Sequence, residues 1–166
     1  MNAKNMNAIT NSKMRKEKTI AVLAIYATAM ALIEAAVVVY LRELYYPEGF
    51  SIRTAADLQV IPWKILRVEI WREVATIIML AAVGFVAFDR AKEKLWAFIW
   101  AFSLWDLAYY LFLYIFLRWP LSLGTIDVYF LIPRPLIGPV WFPLLLFGIL
   151  GIISFRQLLK LSLQKN

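Results

Sequence analysis

The fold class predicted by this sequence is an all-α membrane protein: four transmembrane helices in a bundle, with a Pro-rich interfacial or re-entrant segment before the fourth. Three observations predict it. Hydrophobic residues occupy 63% of the 166 positions and aromatic residues 16%, whereas soluble domains hold about 45–50% apolar residues. Four stretches, about 19–41, 68–88, 95–117 and 136–155, reach the roughly 20 apolar residues that a bilayer crossing needs. The basic residues gather in patches that flank these stretches. The length suits one compact unit, divided into a polar basic tail, 1–18, and a single four-helix transmembrane domain, 19–166.

The first span follows "NSKMRKEK". Its apolar run is too long for a secretory signal and lacks a small-residue cleavage site, so it is expected to be retained. The connection 42–63 holds Pro47, Gly49 and Pro62, which place a turn after the first span and a break before the second. Its Tyr45, Tyr46, Phe50 and Trp63 suit the aromatic belt of a membrane interface. The second and third spans are joined by the tight turn "DRAKEK", 89–94. Residues 121–143 are apolar but interrupted by Gly124, Pro133, Pro135, Pro139 and Pro143. Within them 121–132 is too short to cross, and is expected to lie on the surface or re-enter, lidding the bundle's outer end. Irregular backbone at membrane depth must be covered by protein.

Charge sets the expected direction. Eleven of the eighteen Lys and Arg residues fall in three segments: Lys4, Lys13, Arg15, Lys16 and Lys18; Arg90, Lys92 and Lys94; Arg156, Lys160 and Lys165. Basic residues favour the cytoplasmic side, so both termini are expected there, with 42–67 and 118–135 on the opposite side of a plasma or inner membrane. This alternation, rather than a basic groove, accounts for the net charge of +7 and argues against nucleic acid as a partner. The chain has no Cys and no His. Thiolate chemistry, iron–sulfur clusters, Cys/His zinc sites and imidazole-ligated haem are therefore excluded, and no metal site or cofactor is expected.

The polar residues inside the spans are the informative ones, because a charge at the bilayer centre costs about 2.5–3.5 kcal/mol on insertion scales. At about 100° per residue, Glu69, Arg72, Glu73 and Thr76 share one face of the second span. Glu34 sits beside an Ala24, Ala27, Ala31, Ala35 stripe that lets a neighbouring helix approach closely. Asp106 lies near the middle of the third span, with Ser103, Tyr109 and Tyr110 on its face and Tyr114 a turn above. Three helices thus contribute acids to one expected cluster: Glu34, Glu69, Arg72, Glu73, Asp106, Tyr109 and Tyr110, opening outward, with Arg42, Arg118, Asp127 and Arg134 at its rim.

Two readings of that cluster stand open. In one, the pairs only fix the rotation of the helices. In the other, the excess of acids binds or relays something, since intramembrane ionisable groups are functional candidates by default. The leading expectation is a non-catalytic subunit or partner-binding component of a membrane complex, holding a lipid, quinone or cation at the cluster. Its partners would be membrane lipids and other subunits or further copies of itself. The first alternative is proton or cation translocation, against which stands a nearly apolar inner half. The second is a metal-assisted enzyme acting on a lipid or isoprenoid, with acids holding Mg²⁺ and arginines clamping phosphate; its Glu-x3-Glu signal is weak.

Overall fold

The computed structural model describes residues 3–163. Lys165 lies outside the described residues, as do the side chains of Lys4 and Lys13. The chain is mostly helical: α1 (Ala3–Tyr45), α2 (Trp63–Ala87), α3 (Ala91–Leu117) and α4 (Trp141–Leu163), with a short 3-10 turn at Ala55–Val60. Between α3 and α4 lie two strands, β1 (Ile126–Phe130) and β2 (Leu136–Pro139). All four α-helices contain a segment long and apolar enough to cross a membrane; the shortest, Trp141–Leu161, has 21 residues. At about 1.5 Å per residue, that segment is about 31 Å long, close to the thickness of a hydrocarbon core.

The helix ends follow from local chemistry. Pro47 stands just beyond α1, and Pro62 caps α2, where its missing N–H is no loss and its fixed φ suits helix entry. Phe88 is extended and ends α2, leaving a short link before α3. Arg118 ends α3 in the left-handed conformation (φ 53°), and its backbone N–H donates to the Tyr114 carbonyl.

Several boundaries differ from expectation, among them the end of α4 at Leu163 rather than 155 and the start of α3 at Ala91 rather than 95. Helix α1 begins at Ala3 and runs unbroken through the basic stretch up to Lys18. Helix α2 starts at Trp63, five residues before the expected span. The fourth helix starts at Trp141 rather than 136, because Leu136–Pro139 pairs with Ile126–Phe130 as an antiparallel hairpin. Prolines 133, 135 and 139 push the residues before them, Ile132, Arg134 and Gly138, toward extended backbone. The all-α expectation therefore misses one small sheet. Its register pairs Asp127 with Gly138 and Val128 with Ile137, with a bulge at Tyr129. The N–H groups of Val140 and Trp141 then bond the carbonyls of Thr125 and Leu123, tying the hairpin base to the start of α4.

Helix α3 packs against each of the other three helices, most broadly against α1 and α4. Its alanines meet those of α1: Ala27 and Ala31 join Ala101, Leu80 and Trp105 in one buried cluster. A second cluster near the two termini holds Ile20, Leu23, Phe88, Ala97 and Leu158. A third, near the hairpin, holds Ala35, Tyr110, Leu113, Trp119 and Val140. Small side chains on facing helices let the backbones come close, which is the main packing resource where lipid supplies no hydrophobic contrast.

Helices α2 and α3 approach closely at Gly84, where an added Cβ would sit 2.9 Å from the Phe98 backbone nitrogen. A backbone atom cannot yield as a flexible side chain does. Gly84→Ala is therefore expected to force α2 outward and to lower stability by about 1–3 kcal/mol. Gly148→Ala, where a Cβ meets nothing within 4 Å, is expected to be neutral or slightly stabilising. Thermal unfolding of both variants in detergent checks this, and equal midpoints would contradict it.

Candidate functional site

The acids of the three helices converge at the hairpin end. On α1, Glu34, Val38, Leu41 and Arg42 recur at helical spacing along one face, and all four line a common cavity. On α2, Glu69, Arg72 and Glu73 do the same, one turn apart. On α3 the lining residues are Trp105, Asp106, Tyr109 and Tyr110, and β1 with Leu131 forms the roof. Glu34, Arg42, Glu69, Glu73, Asp106 and Asp127 are all buried.

Arg72 joins two helices. Its Nη1 forms an ion pair with Glu34 Oε2 of α1. Its Nε and Nη2 donate to Glu69 Oε2, one turn back on α2, at 2.8 and 2.6 Å. The Thr76 hydroxyl donates to the same Glu34 oxygen at 3.3 Å. One guanidinium thus serves two carboxylates, leaving that group one negative charge in excess.

Arg42 makes the second junction. Its Nη2 donates to Asp127 Oδ1 of β1 at 3.1 Å, and the Tyr110 hydroxyl of α3 donates to Asp127 Oδ2 at 3.1 Å. The guanidinium lies between two rings, 3.9 Å from the Phe50 centroid and 3.8 Å from the Trp119 centroid. Its Nε and Nη1 have no hydrogen-bond partner; the flanking π faces provide the attraction instead. Burial raises the Asp127 carboxyl above the usual carboxylate range, while the Arg42 charge, the Val128 N–H and the Tyr110 hydroxyl pull it back.

Glu73 fastens the roof. Its Oε2 accepts the Leu131 N–H at 2.9 Å, but its Oε1 is buried without a partner. Asp106 Oδ2 is likewise buried and unpartnered. Across the roof, the Tyr129 hydroxyl donates to the Pro139 carbonyl at 2.6 Å. Gly138 leaves room for it, because a Cβ there would force the phenol to shift. Burial, aided by the nearby Asp127 charge, pushes that phenol up to about 12, so it remains a neutral donor. The cavity, which is partly open, measures about 120 Å³, similar to engineered cavities of about 150 Å³ that admit a benzene ring.

The structure brings Glu34, Glu69, Arg72, Glu73, Asp106, Tyr109 and Tyr110 to one cavity. The expected rim divides. Arg42 and Asp127 are central and buried, since each neutralises the other inside the fold. Arg118 and Arg134 are exposed and do not line the cavity; Arg118 caps α3 and lies 5.8 Å from the Tyr114 ring. Tyr114 is 50% exposed and turned away from the cavity, and Ser103 faces Gly151 of α4 instead. Sequence reasoning missed the Phe50–Trp119 clamp and the structural weight of Asp127. The alternation of Ile126, Val128 and Phe130 with Asp127 and Tyr129 was the available signal, a period of two that marks a strand. Among the described residues, no three acidic side chains come together in a way that could hold a metal ion.

Removing one partner of a buried ion pair costs about 3–5 kcal/mol, so Arg42→Met is expected to destabilise the fold by that order. Arg42→Lys keeps the charge but loses the planar stack and should cost less. The pH dependence has a definite sign. Asp127 has a folded pKa above its unfolded value of about 4. Its favourable contribution is full below that unfolded value and is lost as pH rises through the folded one. Without Arg42 the folded value rises further, so the Arg42→Met deficit should be larger at pH 8 than at pH 5 in thermal unfolding. A deficit independent of pH would count against the pairing.

Comparison of the chain with family models, with curated proteins and with solved structures gives no match, so its function is argued from this geometry alone.

Proposed function

We propose that this chain is a small integral membrane protein that holds a ligand in the hairpin-roofed cavity, as a non-catalytic component of a membrane complex or of its own assembly. Both termini lie on the cytoplasmic side in this reading, following the basic segments, and the cavity opens toward the opposite face. One observation carries it: a cavity of about 120 Å³ is lined by two buried carboxylates, Asp106 and Glu73, each with an oxygen that has no partner. Buried polar atoms are almost always satisfied by protein, water or ligand, so such oxygens mark a place for a guest.

The geometry favours binding over the alternatives. Translocation needs a polar path through the chain, whereas Ala27, Ala31, Leu80 and Ala101, each 0% exposed, form an apolar cluster with the cavity residue Trp105. Lipid phosphate chemistry needs free cations, whereas Arg42 and Arg72 are both committed to carboxylates.

Because the chain has no Cys, single cysteines report topology cleanly. Asp57→Cys and Lys92→Cys, both at exposed positions, are expected to react with a membrane-impermeant maleimide from opposite sides. Asp57→Cys should react in intact cells and Lys92→Cys only after permeabilisation; the reverse pattern would overturn the orientation. For the cavity, native mass spectrometry from lipid nanodiscs is expected to show one bound small molecule or lipid. Occupancy should fall roughly tenfold or more in Asp106→Asn, the effect of losing a charge-assisted bond of about 1.5–3 kcal/mol. A chain that flies bare, or a guest indifferent to Asp106 and Glu73, would overturn the binding reading.

A further inference from the structure

We infer that the guest is an organic ammonium group, an amine or quaternary amine head seated against Asp106 and Glu73 between aromatic walls. This rests on the reading that the cavity holds a ligand. Charge is the first ground. Five carboxylates line the cavity against two guanidiniums. Arg42 is taken by Asp127, and Arg72 by Glu34 and Glu69. Asp106 and Glu73 are left with no ion-pair partner among the described residues, although they are only 7% and 8% exposed. In a low-dielectric site, an unpaired carboxylate either keeps a proton or takes up a positive charge.

The walls decide which positive charge. Tyr46, Trp105, Tyr109, Tyr129 and Phe130 line the same space. Aromatic faces attract ammonium groups, and acids combined with rings are the usual surroundings of bound quaternary amines. A small hard metal ion would need several oxygens at coordinating distance, and among the described residues no three acids gather so. An anionic head meets uncompensated negative charge. A quinone's carbonyl oxygens would face the unpartnered carboxylate oxygens of Asp106 and Glu73, which are acceptors only when ionised.

Size limits the guest to a head rather than a whole lipid. About 120 Å³ admits an ethanolamine- or choline-sized group. The α1–α2 seam flanking the cavity makes fewer contacts than the α1–α3 seam, so a head could arrive from a neighbouring lipid as readily as from water. Free amines and lipid headgroups share the chemistry and differ only in source.

The test uses the full chain, purified and stripped of lipid, with ethanolamine and tetramethylammonium as free probes. Neutral isosteres (ethylene glycol and neopentyl alcohol) and sodium chloride serve as controls. Wild type should gain thermal stability saturably with either amine and not with the controls, and both Asp106→Asn and Glu73→Gln should need roughly tenfold more amine. Nanodiscs of phosphatidylethanolamine against phosphatidylglycerol then separate the sources. Retention of the ethanolamine lipid, displaced by free amine, assigns the site to a headgroup; saturable free-amine binding without lipid retention assigns it to a soluble amine. Equal response to neutral isosteres, or to sodium alone, overturns the ammonium assignment. Because those controls use wild type, the outcome stands even where a carboxylate variant fails to fold. A neutral molecule found in the cavity by mass spectrometry would likewise sink this inference while leaving the binding reading intact.

Discussion

The shared guanidinium of Arg72 is the interaction on which the arrangement depends. Glu34 comes from α1, and Arg72 and Glu69 come from α2. None of the three can be left alone in apolar surroundings, where an uncompensated charge costs several kcal/mol. Joining them fixes the rotation of α1 against α2 where the two helices otherwise make few contacts. Arg42 does the same for α1 and the hairpin, through Asp127. Helix α3 supplies the Tyr110 hydroxyl that completes that second junction. Helices α1, α2 and α3 and the hairpin are thereby joined through buried charges, while Leu58 and Ile61 of the α1–α2 connection meet the cavity through apolar packing.

The cavity is what remains when those pairings are complete. Two arginines cannot neutralise five acids, so Asp106 and Glu73 keep unpartnered oxygens at its wall. Trp105, which lines it, also belongs to the apolar cluster of Ala27, Ala31, Leu80 and Ala101 between the helices. Above it, the Leu131 N–H bond to Glu73 holds the hairpin down as a roof. The lining that results is acidic and aromatic, and the proposed ammonium guest is the group that such a lining would attract.

Much of this was legible from residue spacing. Four apolar runs gave four helices long enough to cross a membrane, and polar residues at i, i+3 and i+4 on α2 and α3, with Glu34 beside the alanine stripe of α1, marked the faces that meet. The alanine stripe of α1 was readable for the same reason: small side chains at a spacing of four have one use between helices. The hairpin was not read, because its apolar residues and prolines look alike whether the chain lies on a surface, re-enters or pairs with itself. Asp127 was consequently set at a rim although it is 2% exposed. Arg42 was set there too, since its aromatic partners, Phe50 and Trp119, are far apart in sequence and join it only through tertiary packing. Spacing reveals which side chains share a helix face; it does not reveal what a loop folds over them.

The most direct test of the central claim is a double-mutant cycle between Glu34 and Arg72, read as unfolding free energy in detergent with Glu34→Gln, Arg72→Gln and the pair. If the two groups meet across α1 and α2, the double variant will be more stable than the sum of the single losses implies, by about 1–3 kcal/mol. Losses that simply add, within about 0.5 kcal/mol, would mean that the charges never meet and that the convergence described for this end of the molecule is wrong.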